Sequence, residues 1–170
     1  MNKIVKVFLT GTFVFGTALS VNGYKEDISD NEAQAATTQS WYTYSGYTSK
    51  GGDFVLDQSF YNGLKAGNVK FNGIKVNSKY SSETGSKVIY DQTFHQVEDN
   101  TANNVEFDIQ NKAVSFQDIR VQYGENFKYQ PPLNGDKKAS GDGLYGYKVG
   151  DGNIVFHVSD GYVTSAVVSW

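Results

Sequence analysis

Short runs of aromatic and β-branched residues, separated by glycine and polar clusters, follow one another along most of the chain after residue 40. This pattern is typical of β-strands joined by tight turns. The clearest signal spans residues 69–76, where Asn72-Gly73 lies between alternating apolar positions and predicts a two-residue hairpin, because both residues tolerate positive φ. Pairing across that turn puts four side chains on one apolar face: Val69, Phe71, Ile74 and Val76.

Two lysines occupy the other face of this predicted hairpin. Lys70 and Lys75 are directly opposite each other, and like charges in that arrangement are destabilising. A bound anion would relieve the repulsion, whereas two long side chains that turn into the solvent would explain the pair without any ligand. The sequence leaves both explanations open, and a bulge at Gly73 would still keep the lysines on one face.

Two short helices are predicted between the strands. The first follows Asp57, which is a suitable N-cap, and ends near Gly67. The second begins at Ser115, with Asp118 three residues further on, and ends at Gly124.

Further strands are predicted on both sides of these helices, with polar segments between them. The isolated strands are expected at residues 41–44, 88–90 and 105–109, with a polar loop at 99–104 and a long irregular segment at 125–143. Three strands at the C-terminal end are expected at residues 144–149, 154–158 and 162–170. The sequence therefore predicts an α+β fold: a small single domain with an antiparallel sheet, two short helices and a C-terminal β-meander.

The first 35 residues have a different character. Lys3 and Lys6 precede an apolar run over residues 7–21, and Ala33-Gln34-Ala35 supplies a small-residue cleavage site. This order predicts a secretory signal peptide over residues 1–35, which is cleaved, and one domain over residues 36–170. The alternative is a membrane anchor, but the run is shorter than the roughly 20 residues that a bilayer requires. We therefore expect a secreted protein that is extracellular or loosely associated with the cell surface and is not inserted in a membrane.

The composition argues against several kinds of chemistry. The chain has no cysteine, which excludes cysteine catalysis and cysteine-ligated metals. Its two histidines, His95 and His157, lie in no recognisable nucleophile or metal motif. The sequence therefore predicts no enzyme, no cofactor and no metal site. A hydrolase with paired carboxylates stays open, because such pairs are not visible in a sequence.

The charge is distributed unevenly along the chain. Removing residues 1–35, which hold three lysines and four acids, leaves 12 basic and 14 acidic side chains and a net charge of −2. Residues 65–87 nevertheless contain five lysines and a single acid, Glu83. Such a segment can attract a polyanion locally, although on charge alone a solvated charged face is the better explanation.

Several blocks of sequence point to a known family. The blocks occur in a fixed order at residues 42–47 (YTYSGY), 53–57 (DFVLD), 68–75 (NVKFNGIK), 90–94 (YDQTF) and 114–119 (VSFQDI). Together they resemble the immunodominant staphylococcal antigen B family of small secreted proteins. The resemblance implies an extracellular, immunogenic, non-enzymatic protein, and family members are regarded as binding nucleic acids without sequence preference. This chain is more acidic than that family's type member, so we expect weak, salt-sensitive binding.

The predicted partner is therefore extracellular DNA or RNA, or another polyanion, and no cofactor is expected. We predict that the basic segment contacts the ligand and that exposed tyrosines stack on its bases. The predicted binding residues are Lys65, Lys70, Lys75, Lys79 and Lys87, with Tyr42, Tyr44 and Tyr47 as stacking partners. The alternative is a secreted interaction module that binds a host or cell-surface protein.

Overall fold

The computed structural model describes residues 39–77, 85–132 and 141–170. The predicted signal peptide and Lys79 lie outside the described residues. The described residues form ten strands, two α-helices and two short 3-10 helices. The strands are β1 (Tyr42–Tyr44), β2 (Val69–Phe71), β3 (Ile74–Val76), β4 (Ser86–Ile89), β5 (Gln92–Glu98), β6 (Thr101–Asp108), β7 (Lys128–Gln130), β8 (Gly143–Val149), β9 (Gly152–Ser159) and β10 (Tyr162–Ser169). The α-helices are α1 (Gln58–Lys65) and α2 (Phe116–Tyr123), and the 3-10 helices are Thr48–Lys50 and Asp53–Leu56.

The ten strands belong to one mixed sheet. Its order is β1-β2-β3-β6-β10-β9-β8-β7, with β5 paired to β6 and β4 paired to β5. The α+β class is therefore consistent with the prediction, but the expectation of an antiparallel sheet is only partly right. The pairs β1–β2 and β3–β6 are parallel. Each parallel pair requires a long connection, which α1 provides for the first and the β4–β5 hairpin for the second.

The hairpin of β2 and β3 forms as predicted. Asn72 and Gly73 have φ angles of 48° and 87°, which is the backbone geometry of a two-residue turn with positive φ. The register pairs Lys70 with Lys75, so the two lysines are directly opposite each other. The four apolar side chains of the hairpin are buried on the other face: Val69, Phe71, Ile74 and Val76.

Both helices begin and end where the sequence predicts. Asp57 is the N-cap of α1, and Gly67, with a φ of 67°, follows its C-terminal end. In α2 the Ser115 hydroxyl accepts a hydrogen bond from the Asp118 backbone N–H at 3.1 Å. The Asp118 carboxylate in turn accepts one from the Ser115 backbone N–H, which completes a capping box.

Two predicted loops are partly wrong. Residues 101–104, expected in a polar loop, form the first half of β6 and pair with β5, itself a strand that the sequence analysis missed. The side-chain amide of Asn103 donates to the Gln96 side chain across this pair, so these two polar residues belong to paired strands and not to a loop. The long irregular segment also contains a strand, β7, which pairs with β8. The C-terminal meander of β8, β9 and β10 is confirmed.

The core lies between the helices and one face of the sheet. On β9 the side chains of Ile154, Phe156 and Val158 are fully buried, as predicted. The Tyr123 ring of α2 meets the Phe156 ring edge-on at a centroid distance of 5.2 Å. Among the helices of the described residues, none combines the length and apolarity needed to cross a membrane.

Phe156→Ala tests this core directly. Because the ring is fully buried and contacts Tyr123, we expect a loss of about 3–5 kcal/mol in the free energy of unfolding, measured by urea denaturation. His157→Ala on the same strand is the matched control, because His157 is exposed and its truncation should change stability by less than about 0.5 kcal/mol. Equal effects at both positions would contradict the assignment of the core face.

Two tyrosines that pack in the core region should respond differently to loss of the hydroxyl. The Tyr123 hydroxyl donates to the Val55 carbonyl at 2.7 Å, so Tyr123→Phe should destabilise the fold by about 1 kcal/mol. The Tyr147 hydroxyl is buried without a hydrogen-bond partner among the described residues, so Tyr147→Phe should leave stability unchanged or raise it.

The pH dependence of unfolding gives a further readout for Tyr147. Burial raises the pKa of Tyr147 to about 12. In the unfolded chain its hydroxyl ionises near pH 10. The contribution of this group to the free energy of unfolding is therefore fully present below pH 10 and is lost as the pH rises toward 12. Tyr147→Phe should therefore flatten the fall in stability over this window. An unchanged slope would contradict the raised pKa.

Candidate functional site

An indole ring and two ammonium groups meet on the outer face of β1, β2 and β3. Tyr42 and Tyr44 of β1 point into the core, so the preceding Trp41 and the intervening Thr43 are exposed on the other face. The Nζ atoms of Lys70 and Lys75 lie 5.3 Å and 5.0 Å from the centroid of the Trp41 ring. About half of Trp41, 51%, is exposed to solvent. We call these three residues the Trp41 patch.

The Trp41 patch explains how two opposed lysines are tolerated. The face of an indole carries partial negative charge, and an ammonium group near it gains about 0.5–1 kcal/mol at an exposed site. Two such contacts offset the repulsion that the hairpin register creates between Lys70 and Lys75. The lysines therefore converge on an aromatic ring instead of extending separately into the solvent. Trp41 is not among the predicted binding residues, although its alternation with Tyr42 and Tyr44 indicates that it lies on this face.

Lys75 also connects the Trp41 patch to a polar cluster. Its Nζ donates to Asn68 Oδ1 at 3.3 Å, and Asn68 Nδ2 donates to Gln39 Oε1 at 3.3 Å. Only 4% of Asn68 is exposed. A buried amide with partners on both sides orients the Lys75 side chain in the free protein.

A cleft of about 460 Å³ begins at this cluster. It lies where β3 and β10 both end against β6, since Val76 pairs with Ala102 and Ser169 with Asn104. Amide, ammonium and indole groups line it: Gln39, Lys65, Asn68, Lys75, Asn77 and Trp170. Asp151 lines the same wall. We call this the amide cleft.

The structure brings together three of the five predicted lysines. Lys70 and Lys75 form the Trp41 patch, and Lys65, in the last turn of α1, lines the adjoining cleft. Lys87 does not join them. Lys87 pairs with Phe94, whose side chain is buried. Lys87 therefore lies on the core face of the sheet, at the edge strand β4, and not on the face that carries the Trp41 patch.

Two of the three predicted tyrosines are buried instead of exposed. Tyr42 and Tyr44 are buried and pack against the Phe54 ring, so neither presents a face for stacking on a base. Burial also raises the pKa of both hydroxyls above their ordinary value. Tyr47 is exposed, and its ring meets the Tyr90 ring edge-on at 4.8 Å.

Asp91 holds the turn that positions Tyr47. Its carboxylate accepts hydrogen bonds from the backbone N–H groups of Thr48 at 3.0 Å and Ser49 at 2.7 Å. Partial burial acts to raise the pKa of Asp91, but the hydrogen bonds from Ser49 and Thr48 outweigh it and leave the pKa below its ordinary value. Above the Tyr47 ring, the Lys50 Nζ lies 5.0 Å from the centroid.

Residues 39–77, 85–132 and 141–170 contain no group of three or more histidine, aspartate or glutamate side chains placed to hold a metal ion. The chemistry on offer at the Trp41 patch and the amide cleft is reversible binding through charge, stacking and hydrogen bonds. Neither site brings a histidine or a pair of carboxylates against the cleft wall.

A double-mutant cycle measures the contact between Trp41 and Lys75. Lys75→Met should lower the free energy of unfolding of the wild-type protein by about 0.5–1 kcal/mol more than it lowers that of the Trp41→Ala variant. The reason is that the variant has no cation–π contact to lose. Lys128→Met is the matched control, since Lys128 is exposed on β7 at the far end of the strand order. Additive effects for the Trp41 and Lys75 substitutions would contradict the contact.

Comparison with known proteins places the chain in a family. The family model described as "Immunodominant staphylococcal antigen B" matches residues 41–168. Proteins named Immunodominant staphylococcal antigen B from Staphylococcus aureus strains USA300 and NCTC 8325 are 36% identical over 151 residues, which cover 87% of this chain and 82% of each relative. No solved structure matches at a significant level. The resemblance seen in the sequence blocks is thereby confirmed, and the chain belongs to the immunodominant staphylococcal antigen B family.

Proposed function

We propose that this protein is a secreted, non-enzymatic antigen that binds extracellular nucleic acid, or another polyanion, without sequence specificity. The observation that carries the proposal is the Trp41 patch, where two ammonium groups converge beside a half-exposed indole ring. Lys65 in the adjoining cleft adds a third positive charge. The basic start and apolar run of the first 35 residues support export of the chain.

The charge of the site determines how strong such binding can be. Each lysine that neutralises a phosphate releases bound counterions, so affinity falls as salt rises. Three lysines predict a slope of log affinity against log salt of about −2 on a single strand. The net charge of the domain opposes approach of a polyanion, because the mature chain carries 14 acids against 12 basic residues. Binding is therefore weak at physiological salt and local to this patch.

The indole adds a contribution that salt does not screen. An aromatic side chain that stacks on a base contributes about 1–3 kcal/mol by alanine substitution, whatever the base. In the free protein, Lys70 and Lys75 lie over the ring. When a base stacks on Trp41, the same two ammonium groups move to the flanking phosphates, which bind them more strongly than an indole face does.

Charge reversal at the hairpin tests this proposal. Lys70→Glu with Lys75→Glu should abolish binding of labelled single-stranded and duplex DNA in fluorescence anisotropy across a salt series, because two of three phosphate contacts become repulsive. The melting temperature should fall by at most about 5 °C, because the substituted side chains are only half-buried. Lys112→Glu with Lys128→Glu is the matched control, since it makes the same change in net charge at exposed positions outside the patch.

Two results would count against the proposal. Unchanged binding in the hairpin double variant would show that the site is wrong. Absence of any binding by the wild-type domain at low salt would show that the function itself is wrong.

One observation favours a second candidate function, binding of a host or cell-surface protein. Tyr47, Tyr90 and Val88 are 45%, 55% and 66% exposed, and β4, which carries Val88, pairs only with β5 among the described strands. Exposed aromatic groups at a sheet edge are common at protein interfaces. Tyr90→Ala with Val88→Ser should then abolish binding to a host surface while oligonucleotide binding persists. Loss of neither activity would remove this candidate.

A further inference from the structure

We propose that the amide cleft receives one unpaired base of a nucleic-acid strand held at the Trp41 patch, so that single strands are the preferred ligand. This inference rests on the proposed function and adds to it a site for the base.

The groups that line the amide cleft match the edge of a nucleobase better than they match a bare anion. Gln39, Asn68 and Asn77 carry side-chain amides, a group that contains both donors and an acceptor. Asn68 already bonds Lys75 and Gln39. Every base presents donors and acceptors on its edge, and single-stranded recognition reads them with such groups. Asp151, which also lines the cleft, strengthens the distinction, because a carboxylate accepts from a ring N–H, as in thymine, or from an exocyclic amino group but repels phosphate or sulfate.

A buried donor at the cleft wall lacks an acceptor. Trp170 lines the cleft, and its indole Nε1 is buried without a hydrogen-bond partner among the described residues. The backbone of Gly67 packs against this part of the ring, since a Cβ there would lie at contact distance, 3.4 Å, from Trp170 Nε1. A buried unpaired donor costs about 1–3 kcal/mol, and a rotation of the Trp170 ring that brings Nε1 to a base carbonyl in the cleft would remove that cost.

Lys75 makes the patch and the cleft one continuous site. Its Nζ lies 5.0 Å from the Trp41 ring centroid and 3.3 Å from Asn68 Oδ1 in the cleft wall. In a nucleic-acid strand with one base stacked on Trp41, the next phosphate therefore lies at Lys75 and the next base reaches the cleft. The cleft volume of about 460 Å³ lies within the range of small-molecule sites. A duplex would have to flip a base out of its stack, which costs a few kcal/mol.

The chain has two tryptophans, one in the patch and one in the cleft, and this permits a direct test. Trp41→Phe leaves Trp170 as the single indole reporter of the cleft, and Trp170→Phe leaves Trp41 as the reporter of the patch. Each variant is titrated with a ten-residue thymidine strand, with an abasic strand of the same length, with a duplex and with inorganic polyphosphate. Anisotropy of labelled strands reports binding, and tryptophan fluorescence reports entry of a base.

We expect the thymidine strand to quench Trp170 in the Trp41→Phe protein, whereas the duplex, the abasic strand and polyphosphate leave its fluorescence unchanged. We also expect Trp170→Phe, which removes the Nε1 donor but keeps an aromatic ring, to lower the ratio of thymidine-strand affinity to polyphosphate affinity about tenfold. The same ratio should fall in Trp41→Phe by less than in Trp41→Ala.

The remaining outcomes overturn the inference in distinguishable ways. Binding of the thymidine strand without a change at Trp170 would remove the base site and leave the proposed function intact. Equal quenching by polyphosphate would show that the cleft takes a bare anion. Failure of every ligand to bind at low salt would remove both the inference and the proposed function.

Discussion

The Asn72-Gly73 turn is the constraint on which the arrangement of this protein depends. It fixes the register of β2 against β3, and that register buries Phe71 and Ile74 on one face while it opposes Lys70 and Lys75 on the other. The Asn72 side chain extends the effect: its Oδ1 accepts from the Gly46 N–H at 2.8 Å and its amide donates to Gln92. The turn thereby ties the loop after β1 to the start of β5. A slip of one residue would exchange the two faces and lose both the core contacts and the lysine pair.

The fixed register creates a repulsion, and the way the chain relieves it creates the candidate site. Parallel pairing of β1 with β2 brings Trp41 beside the opposed lysines, so the same contacts that stabilise the hairpin also assemble a basic, aromatic surface. The core that supports this surface is held by aromatic packing, since the chain has no cysteine; Phe71 lies 5.1 Å from Phe107 and 5.9 Å from Phe54 between ring centroids. A rigid support of this kind lets a ligand bind without first ordering the site.

Local signals carried the predictions that the structure confirms, and non-local pairing decided the rest. The Asn72-Gly73 hairpin and the Ser115 capping box are encoded within a few residues, so they could be read from the sequence. The parallel pairs could not, because they depend on how distant segments meet. β5 was missed because only one of its faces is buried and Gln92 occupies a core position. For β1 the alternation was visible, but the choice of face was wrong: Tyr42 and Tyr44 are in the core and Trp41 is outside.

The most direct test of the account follows the Trp41 patch by NMR while a short single-stranded oligonucleotide is added at low salt. In the free protein, the side-chain methylene protons of Lys70 and Lys75 should be shifted upfield by the Trp41 ring, since both Nζ atoms lie within about 5 Å of its centroid. The account predicts that binding removes this upfield shift and moves the Trp41 indole N–H signal, while the Tyr47 and Tyr90 signals stay in place. Changes confined to Tyr47, Tyr90 and β4, with the lysine shifts unaltered, would contradict it.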